Sequence, residues 1–132
     1  MRLKFLTSLL VAFVVNAHGQ TISLSPGDAT KGRAIVSNRQ VGLCLLCHSA
    51  PIPEERFQGN IGPSLAGVGT RWNIDELRQR VAYSRNINPQ SVMPNYLQVD
   101  DLTRVARANQ GKSILTAQQV EDVVAFLSTL KD

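Results

Sequence analysis

The chain has 132 residues, of which 43% are hydrophobic and 5% aromatic, and it carries a formal net charge of +4. This length predicts one domain with a small core. The charge falls to +2 without Arg2 and Lys4, because residues 1–17 hold no acidic residue, so strong electrostatic recruitment of nucleic acid is not indicated.

The first residues have the pattern of a secretory signal peptide. Arg2 and Lys4 precede an apolar run over residues 5–15, and Ala17 follows as a small residue that a signal peptidase could recognise. We expect a signal peptide over residues 1–17 cleaved after Ala17, a flexible leader over 18–27, and a periplasmic domain over 28–132. The alternative is an uncleaved anchor, although spanning a membrane takes about 20 apolar residues.

A first helix is predicted over residues 29–39. Asp28 is a typical N-cap residue, and Gly42 is expected to end the helix. Gly32 is unusual within this segment, because glycine costs about 1 kcal/mol relative to alanine inside a helix. We therefore expect another helix to cross closely at Gly32.

The segment Cys44-Leu45-Leu46-Cys47-His48 has the spacing C-x-x-C-H. This spacing is typical of c-type haem attachment, in which both thiols become thioethers to the porphyrin and the imidazole ligates the iron. Two intervening residues make one turn of backbone, so both sulfurs reach neighbouring edges of one macrocycle. We predict one covalently bound haem c, held by Cys44 and Cys47, with His48 as an axial iron ligand.

Three other interpretations of the two cysteines stay open. A thioredoxin-like dithiol should follow a strand in a βαβ pattern, and no alternating β-branched run precedes Cys44. A structural zinc site needs four ligands, and the chain has only two cysteines and two histidines, with His18 near the expected mature terminus. A disulfide between Cys44 and Cys47 suits an oxidising compartment but gives no role to His48.

Residues 49–60 are predicted to form a loop, and a glycine-rich segment follows over 61–69. These glycines indicate backbone packed closely against another group. A phosphate-binding loop would need a G-K-[ST] ending and a preceding strand, which this segment lacks. In a haem protein, the carbonyl group of Pro63 is suited to accept the Nδ1 hydrogen of His48, which would fix the imidazole and raise its basicity.

The clearest middle helix is predicted over residues 73–85. Asn73 and Glu76 have the spacing of a capping box, and an apolar stripe follows them.

Several arginines accompany this helix. Arg78, Arg80 and Arg85 are interpreted as a solvated face, in preference to a docking patch. Arg71 and Trp72 lie just before the helix, and their guanidinium and indole N–H groups are suited to contact haem propionates.

Residues 87–97 form a predicted loop that contains Met93, the only methionine apart from the initiator. A lone methionine is ordinarily a core filler. Here a haem iron already bound by His48 needs a sixth ligand or an open site, and a thioether held by the following Pro94 would supply one. The alternative sixth ligand is His18, but it lies beside the expected mature terminus, where order is least expected. We predict Met93 as the second axial ligand.

The last helix is predicted from Thr116 to the C-terminus, after an ambiguous segment over residues 100–112. Thr116 and Gln119 have capping-box spacing, and apolar residues recur at helical intervals. We expect this helix to pack on the first one, with Phe126 beside Gly32.

The order of these features resembles the class I cytochrome c fold, an all-α domain wrapped around one haem, in which the N- and C-terminal helices cross. More narrowly, segments 59–69, 71–72, 87–89, 93–94 and 115–125 resemble the SoxX family, the monohaem subunit of SoxAX cytochromes.

The resemblance implies a non-catalytic electron-transfer subunit in the periplasm. It implies a heterodimer with a SoxA-like monohaem or dihaem subunit, whose active site couples thiosulfate to a cysteine of a SoxYZ-like carrier, an L-cysteine S-thiosulfotransferase activity. Electrons would pass from the SoxA haem through this chain to a small soluble cytochrome c. The alternatives are a free-standing monohaem shuttle, a haem enzyme or gas sensor with an open iron site, and a binding module without haem.

Overall fold

The computed structural model describes residues 24–100 and 102–131. The expected signal peptide, its cleavage site after Ala17, His18 and most of the leader lie outside the described residues. Within the described ranges the chain is helical and contains no strand. Its helices are α1 (Ala29–Ser37), α2 (Val68–Arg71), α3 (Ile74–Ala82), α4 (Ser84–Ile87) and α5 (Ala117–Thr129), with 3₁₀ turns at Cys44–Leu46 and Arg107–Asn109.

Helix α1 begins where the sequence predicts and ends earlier. The carboxylate of Asp28 accepts hydrogen bonds from the backbone N–H groups of Thr30 and Lys31. The helix ends at Ser37, so its predicted extension to residue 39 and termination by Gly42 are wrong. The reason is Asn38, which adopts an extended conformation and accepts the backbone N–H of Gln40 on its own side chain, an interaction that competes with helix continuation.

The crossing of α1 and α5 organises the fold, as the glycine within α1 predicts. A Cβ atom on Gly32 would overlap the backbone carbonyl oxygen of Asp122 and lie 2.9 Å from Cβ of Phe126. The backbone N–H of Asp28 also donates to Oδ1 of the buried Asp122, at 2.9 Å. The capping box of Thr116 and Gln119 is present at the start of α5.

The predicted middle helix is divided in two. Its capping box between Asn73 and Glu76 is present, but regular helix stops at Ala82. Tyr83 has φ −139° and ψ 47°, and the short helix α4 follows it. The break has a physical cause, because the backbone N–H of Arg85 donates to the side chain of Asn95, ten residues further along.

The interpretation of α3's arginines as a solvated face is wrong for Arg78 and Arg80. Nε and Nη2 of Arg78 donate to the two carboxylate oxygens of Glu121 on α5, at 2.6 and 2.9 Å. These bonds, with a further one to Asp75, raise the pKa of Arg78 above its usual range. Arg80 lies over the Trp72 ring, 3.5 Å from its centroid.

The ambiguous segment before α5 is mostly irregular in its described part, with one 3₁₀ turn at Arg107–Asn109. None of the helices in the described ranges combines the length and apolar character that crossing a membrane requires.

Candidate cofactor site

A single cavity of about 860 Å³ brings together all the site residues that the sequence predicts. The volume falls in the range of ligand-binding cavities, roughly 300–1,000 Å³. Its lining includes Cys44, Cys47, His48, Pro63, Arg71, Trp72 and Met93. Residues from four separate stretches of the chain therefore converge on one space.

The cysteines and the histidine lie on one turn of backbone. The carbonyl of Cys44 accepts the backbone N–H groups of Cys47 and His48, at 3.1 and 2.9 Å. Both cysteines are free thiols, so no disulfide joins them. No group of three or more metal-ligating side chains that could form a zinc site occurs among residues 24–100 and 102–131.

Cys44 lies in a largely apolar environment beside Tyr96. The Cys44 thiol and the Tyr96 hydroxyl both donate to the carbonyl oxygen of Gly42, at 3.2 and 2.7 Å. Burial raises the pKa of the Cys44 thiol to about 11. Thiol–disulfide exchange proceeds through the thiolate, so a protonated thiol at neutral pH is poorly suited to a thioredoxin-like role.

The imidazole of His48 is oriented by the glycine-rich loop. Its Nδ1 lies 2.7 Å from the carbonyl oxygen of Pro63. A carbonyl can only accept, so Nδ1 carries the hydrogen and Nε2 keeps the lone pair that a metal requires. Gly62 allows this approach, because a Cβ there would lie 2.6 Å from Nδ1 and 2.8 Å from Nε2.

Arg71 supports the same loop. Its Nη1 donates to the carbonyl of Ala66 at 2.7 Å and its Nη2 to the carbonyl of Ser64 at 2.9 Å. These bonds fix the segment that follows Pro63. The terminal nitrogens of Arg71 thus have backbone partners, while the side chain borders the cavity.

The Met93 loop is attached to α4 through buried polar groups. The hydroxyl of Ser84 donates to the carbonyl oxygens of Met93 and Pro94, at 2.7 and 3.0 Å. Asn95 is 1% exposed, and its side-chain oxygen accepts a hydrogen bond from the backbone N–H of Arg85. The backbone of the loop is therefore fixed at Met93 and over the two residues that follow it.

Sequence reasoning missed three residues around the cavity. Arg80, Ser84 and Asn95 have no motif of their own. The available signal was position: Arg80 follows Leu77 by three residues and precedes Val81, so it borders the apolar stripe of α3. The partners of Ser84 and Asn95 are set by tertiary structure.

The residues present fit a haem c. Two thiols one turn apart, an imidazole with an oriented Nε2 and a thioether are the groups that bind this cofactor, and the cavity around them is mainly lined by apolar side chains.

Comparisons with known proteins point to the same class. The chain matches the cytochrome c family over residues 29–131. Its structure is similar to a chain in the crystal structure of SoxXA from P. pantotrophus, with a TM-score of 0.74 and 38% sequence identity, over 82% of this chain and 85% of that one. No curated protein matches the chain.

Proposed function

We propose that this chain, which belongs to the cytochrome c family and within it to the SoxX proteins, carries electrons for a periplasmic sulfur-oxidising complex. As a cytochrome c it holds one haem c, which supplies a one-electron redox couple. We assign Cys44 and Cys47 to the thioether bonds, and His48 and Met93 to the axial positions.

The observation that carries this assignment is the convergence of His48 and Met93 on one cavity, with the His48 ring hydrogen-bonded to Pro63 and the Met93 backbone hydrogen-bonded to Ser84. Pro63 keeps the hydrogen of His48 on Nδ1, so Nε2 is available as a ligand. Ser84 anchors the Met93–Pro94 peptide unit and the one that follows it. With both axial positions supplied by the protein, no coordination site is left for a substrate, which is typical of electron transfer, and His/Met ligation raises the reduction potential.

Mass spectrometry and ligand binding test this assignment. The chain is produced with haem-maturation proteins in a bacterial periplasm. We expect a mass increase of one haem that Cys44→Ala with Cys47→Ala abolishes. The reduced wild-type protein should not bind carbon monoxide at neutral pH, whereas Met93→Ala should bind it. Ready binding by the wild type would instead indicate an open iron site and a haem enzyme or sensor.

We further propose a SoxA-like partner in the periplasm. The similarity to a SoxXA chain over 85% of that chain supports this. Three exposed apolar residues, Ile61, Ile87 and Val92, also border the cavity, and apolar side chains at such an edge favour close approach of another protein. In this complex the partner would couple thiosulfate to a carrier-protein cysteine, and electrons would leave through this chain to a small soluble cytochrome c.

Affinity purification from cells grown on a sulfur compound tests the partner. The tagged chain should retain a second haem protein in stoichiometric amount, and Val92→Asp should weaken that retention. Thr103→Asp is the matched control, because Thr103 is exposed and does not border the cavity. Elution of the haem-loaded chain as a monomer with no second haem protein would indicate a free-standing shuttle.

A further inference from the structure

Tyr96 connects the two segments that carry the proposed iron ligands. Its side chain is 4% exposed, and it borders the cavity three residues after Met93. Its hydroxyl donates to the carbonyl oxygen of Gly42, which is 2.7 Å away and 54 residues earlier in the sequence. Gly42 lies just before the attachment turn, residues 44–48. The Tyr96 hydroxyl therefore joins the Met93 loop to the attachment turn.

Gly42 is a fixed point on the attachment side. Its backbone N–H donates to the carbonyl oxygen of Asn38 at 3.0 Å, and a Cβ on Gly42 would overlap the carbonyl oxygen of Ile35. The peptide is thus packed directly against the end of α1. A hydrogen bond to its carbonyl holds Tyr96 against a part of the fold that cannot easily move.

The Gly42 carbonyl depends on Tyr96 once the cofactor is attached. In the structure it also accepts the thiol of Cys44, at 3.2 Å. A thioether sulfur carries no hydrogen, so this second donor is lost when Cys44 holds a haem. Among the described residues, the Tyr96 hydroxyl is then the remaining donor to this carbonyl. A buried acceptor is costly to leave without a donor.

Other bonds of the Met93 loop join it to α3 and α4. The hydroxyl of Ser84 donates to the carbonyl oxygen of Met93, and the backbone N–H of Leu97 donates to that of Ala82 at 3.3 Å. These bonds fix the loop relative to α3 and α4, whereas the Tyr96 bond fixes it relative to the attachment turn.

We infer that the Tyr96 hydroxyl is a positioning group that keeps the Met93 thioether on the haem iron. This inference rests on the proposed haem site. His48 would reach the iron from the attachment turn and Met93 from its loop, so both can bind only while the two segments keep a set separation. Groups that orient a metal ligand without touching the metal change its affinity. Without the hydroxyl, the Met93-bound state loses a bond that breaks when the loop moves away, and external ligands compete better.

Imidazole titration of the oxidised, haem-loaded full chain tests this inference. For Tyr96→Phe, the apparent dissociation constant of imidazole should fall about fivefold, because one hydrogen bond between protein groups contributes roughly that factor. Tyr83→Phe is the matched control. Tyr83 is half-buried and does not border the cavity, and its hydroxyl has no hydrogen-bond partner among the described residues.

Val124→Ala separates positioning from stability. Val124 is 1% exposed and does not border the cavity. Truncating a core side chain destabilises a protein more than losing one hydroxyl does. If lower stability alone released Met93, Val124→Ala would bind imidazole more tightly than Tyr96→Phe. We expect both controls to stay within about twofold of the wild type, because distant sites without shared partners act independently.

The inference is overturned if Tyr96→Phe binds imidazole no more tightly than Tyr83→Phe, or if Val124→Ala tightens binding as much as Tyr96→Phe does. Where Tyr96→Phe yields no haem-loaded protein, proton NMR of the reduced wild type decides. The Tyr96 hydroxyl proton should exchange slowly with solvent, and an unprotected proton overturns the inference. A wild type without covalent haem or without methionine on the iron would overturn the proposed function as well. A wild type with Met93 bound and an unchanged imidazole affinity in Tyr96→Phe would overturn only the role of Tyr96.

Discussion

Replacing Gly32 with alanine tests the helix crossing, because two physical effects predict opposite signs. Alanine is a better helix former than glycine by about 1 kcal/mol, so propensity alone predicts a more stable protein. In the structure, however, the new Cβ would lie 2.5 Å from the carbonyl carbon of Asp122 and 2.9 Å from Cβ of Phe126, whereas Cβ atoms essentially never come nearer than 3.0 Å to such neighbours.

The steric effect should dominate. The obstacle is backbone of α5, so relief requires the two helices to separate by about 1 Å, and overpacking of this kind costs about 3 kcal/mol or more. After the gain in propensity, we expect a net loss of about 2 kcal/mol in the free energy of unfolding.

Urea denaturation of the haem-loaded protein, followed by far-ultraviolet circular dichroism, measures this change. Thr30→Ala is the control, because Thr30 is exposed on the same helix and its replacement should raise stability by a few tenths of a kcal/mol. A Gly32→Ala protein as stable as the wild type would refute the close crossing.

Three further predictions concern polar contacts between distant parts of the chain. A double-mutant cycle between Arg78→Gln and Glu121→Gln should give a coupling of about 1 kcal/mol that weakens with added salt, because the pair is bidentate but Arg78 is one-third exposed. Ser84→Ala should lower the free energy of unfolding by about 1–2 kcal/mol, because two part-buried carbonyls lose their donor, and should increase imidazole binding by the oxidised protein. Tyr96→Phe should reduce the loss of stability at high pH. Burial raises the pKa of Tyr96 above its unfolded value of about 10. The neutral hydroxyl therefore contributes fully to the free energy of unfolding below about pH 10, and this contribution is lost as the pH rises through the folded pKa, because the unfolded chain ionises first.

Each of these expectations has a result that contradicts it. Additive single-mutant effects at Arg78 and Glu121 would show that their contact contributes nothing to stability. The control for Ser84→Ala is Ser37→Ala, which removes a hydroxyl that bonds within α1, far from the Met93 loop in sequence. If both variants bound imidazole equally, Ser84 would not anchor the Met93 loop. If the free energy of unfolding fell equally in wild type and Tyr96→Phe between pH 9 and 11, Tyr96 would not be the cause of the loss of stability at high pH.

The regular helices and the haem motif could be predicted because their signals are local. Capping boxes at Asn73 and Thr116 fix the starts of α3 and α5 within four residues of sequence. Gly32 is an exception, because it indicates a contact that is distant in sequence. Glycine lowers the stability of a helix, and no local feature of α1 explains its presence there. These signals were sufficient for the class of fold and for the haem motif, Pro63 and Met93, but not for Arg80 and Ser84, which line the cavity as well.

The remaining features depend on partners that are distant in sequence. The division between α3 and α4 follows from bonds to Asn95 and the Met93 loop, which no periodicity can show. Arg80 was assigned to solvent because charge usually faces water, and only the fold places its Nε in a buried position beside Trp72. Local sequence rules therefore fail here at the groups that surround the proposed cofactor.

Near-infrared absorption of the oxidised, haem-loaded protein tests the central assignment most directly. A methionine thioether bound to ferric haem gives a weak charge-transfer band in this region, at an energy different from the bands that appear when imidazole or water takes its place. We expect the band in the wild type, its complete loss in Met93→Ala, and its retention in Arg78→Gln. A Met93→Ala protein with the wild-type band, or a wild type without it, would contradict ligation by His48 and Met93.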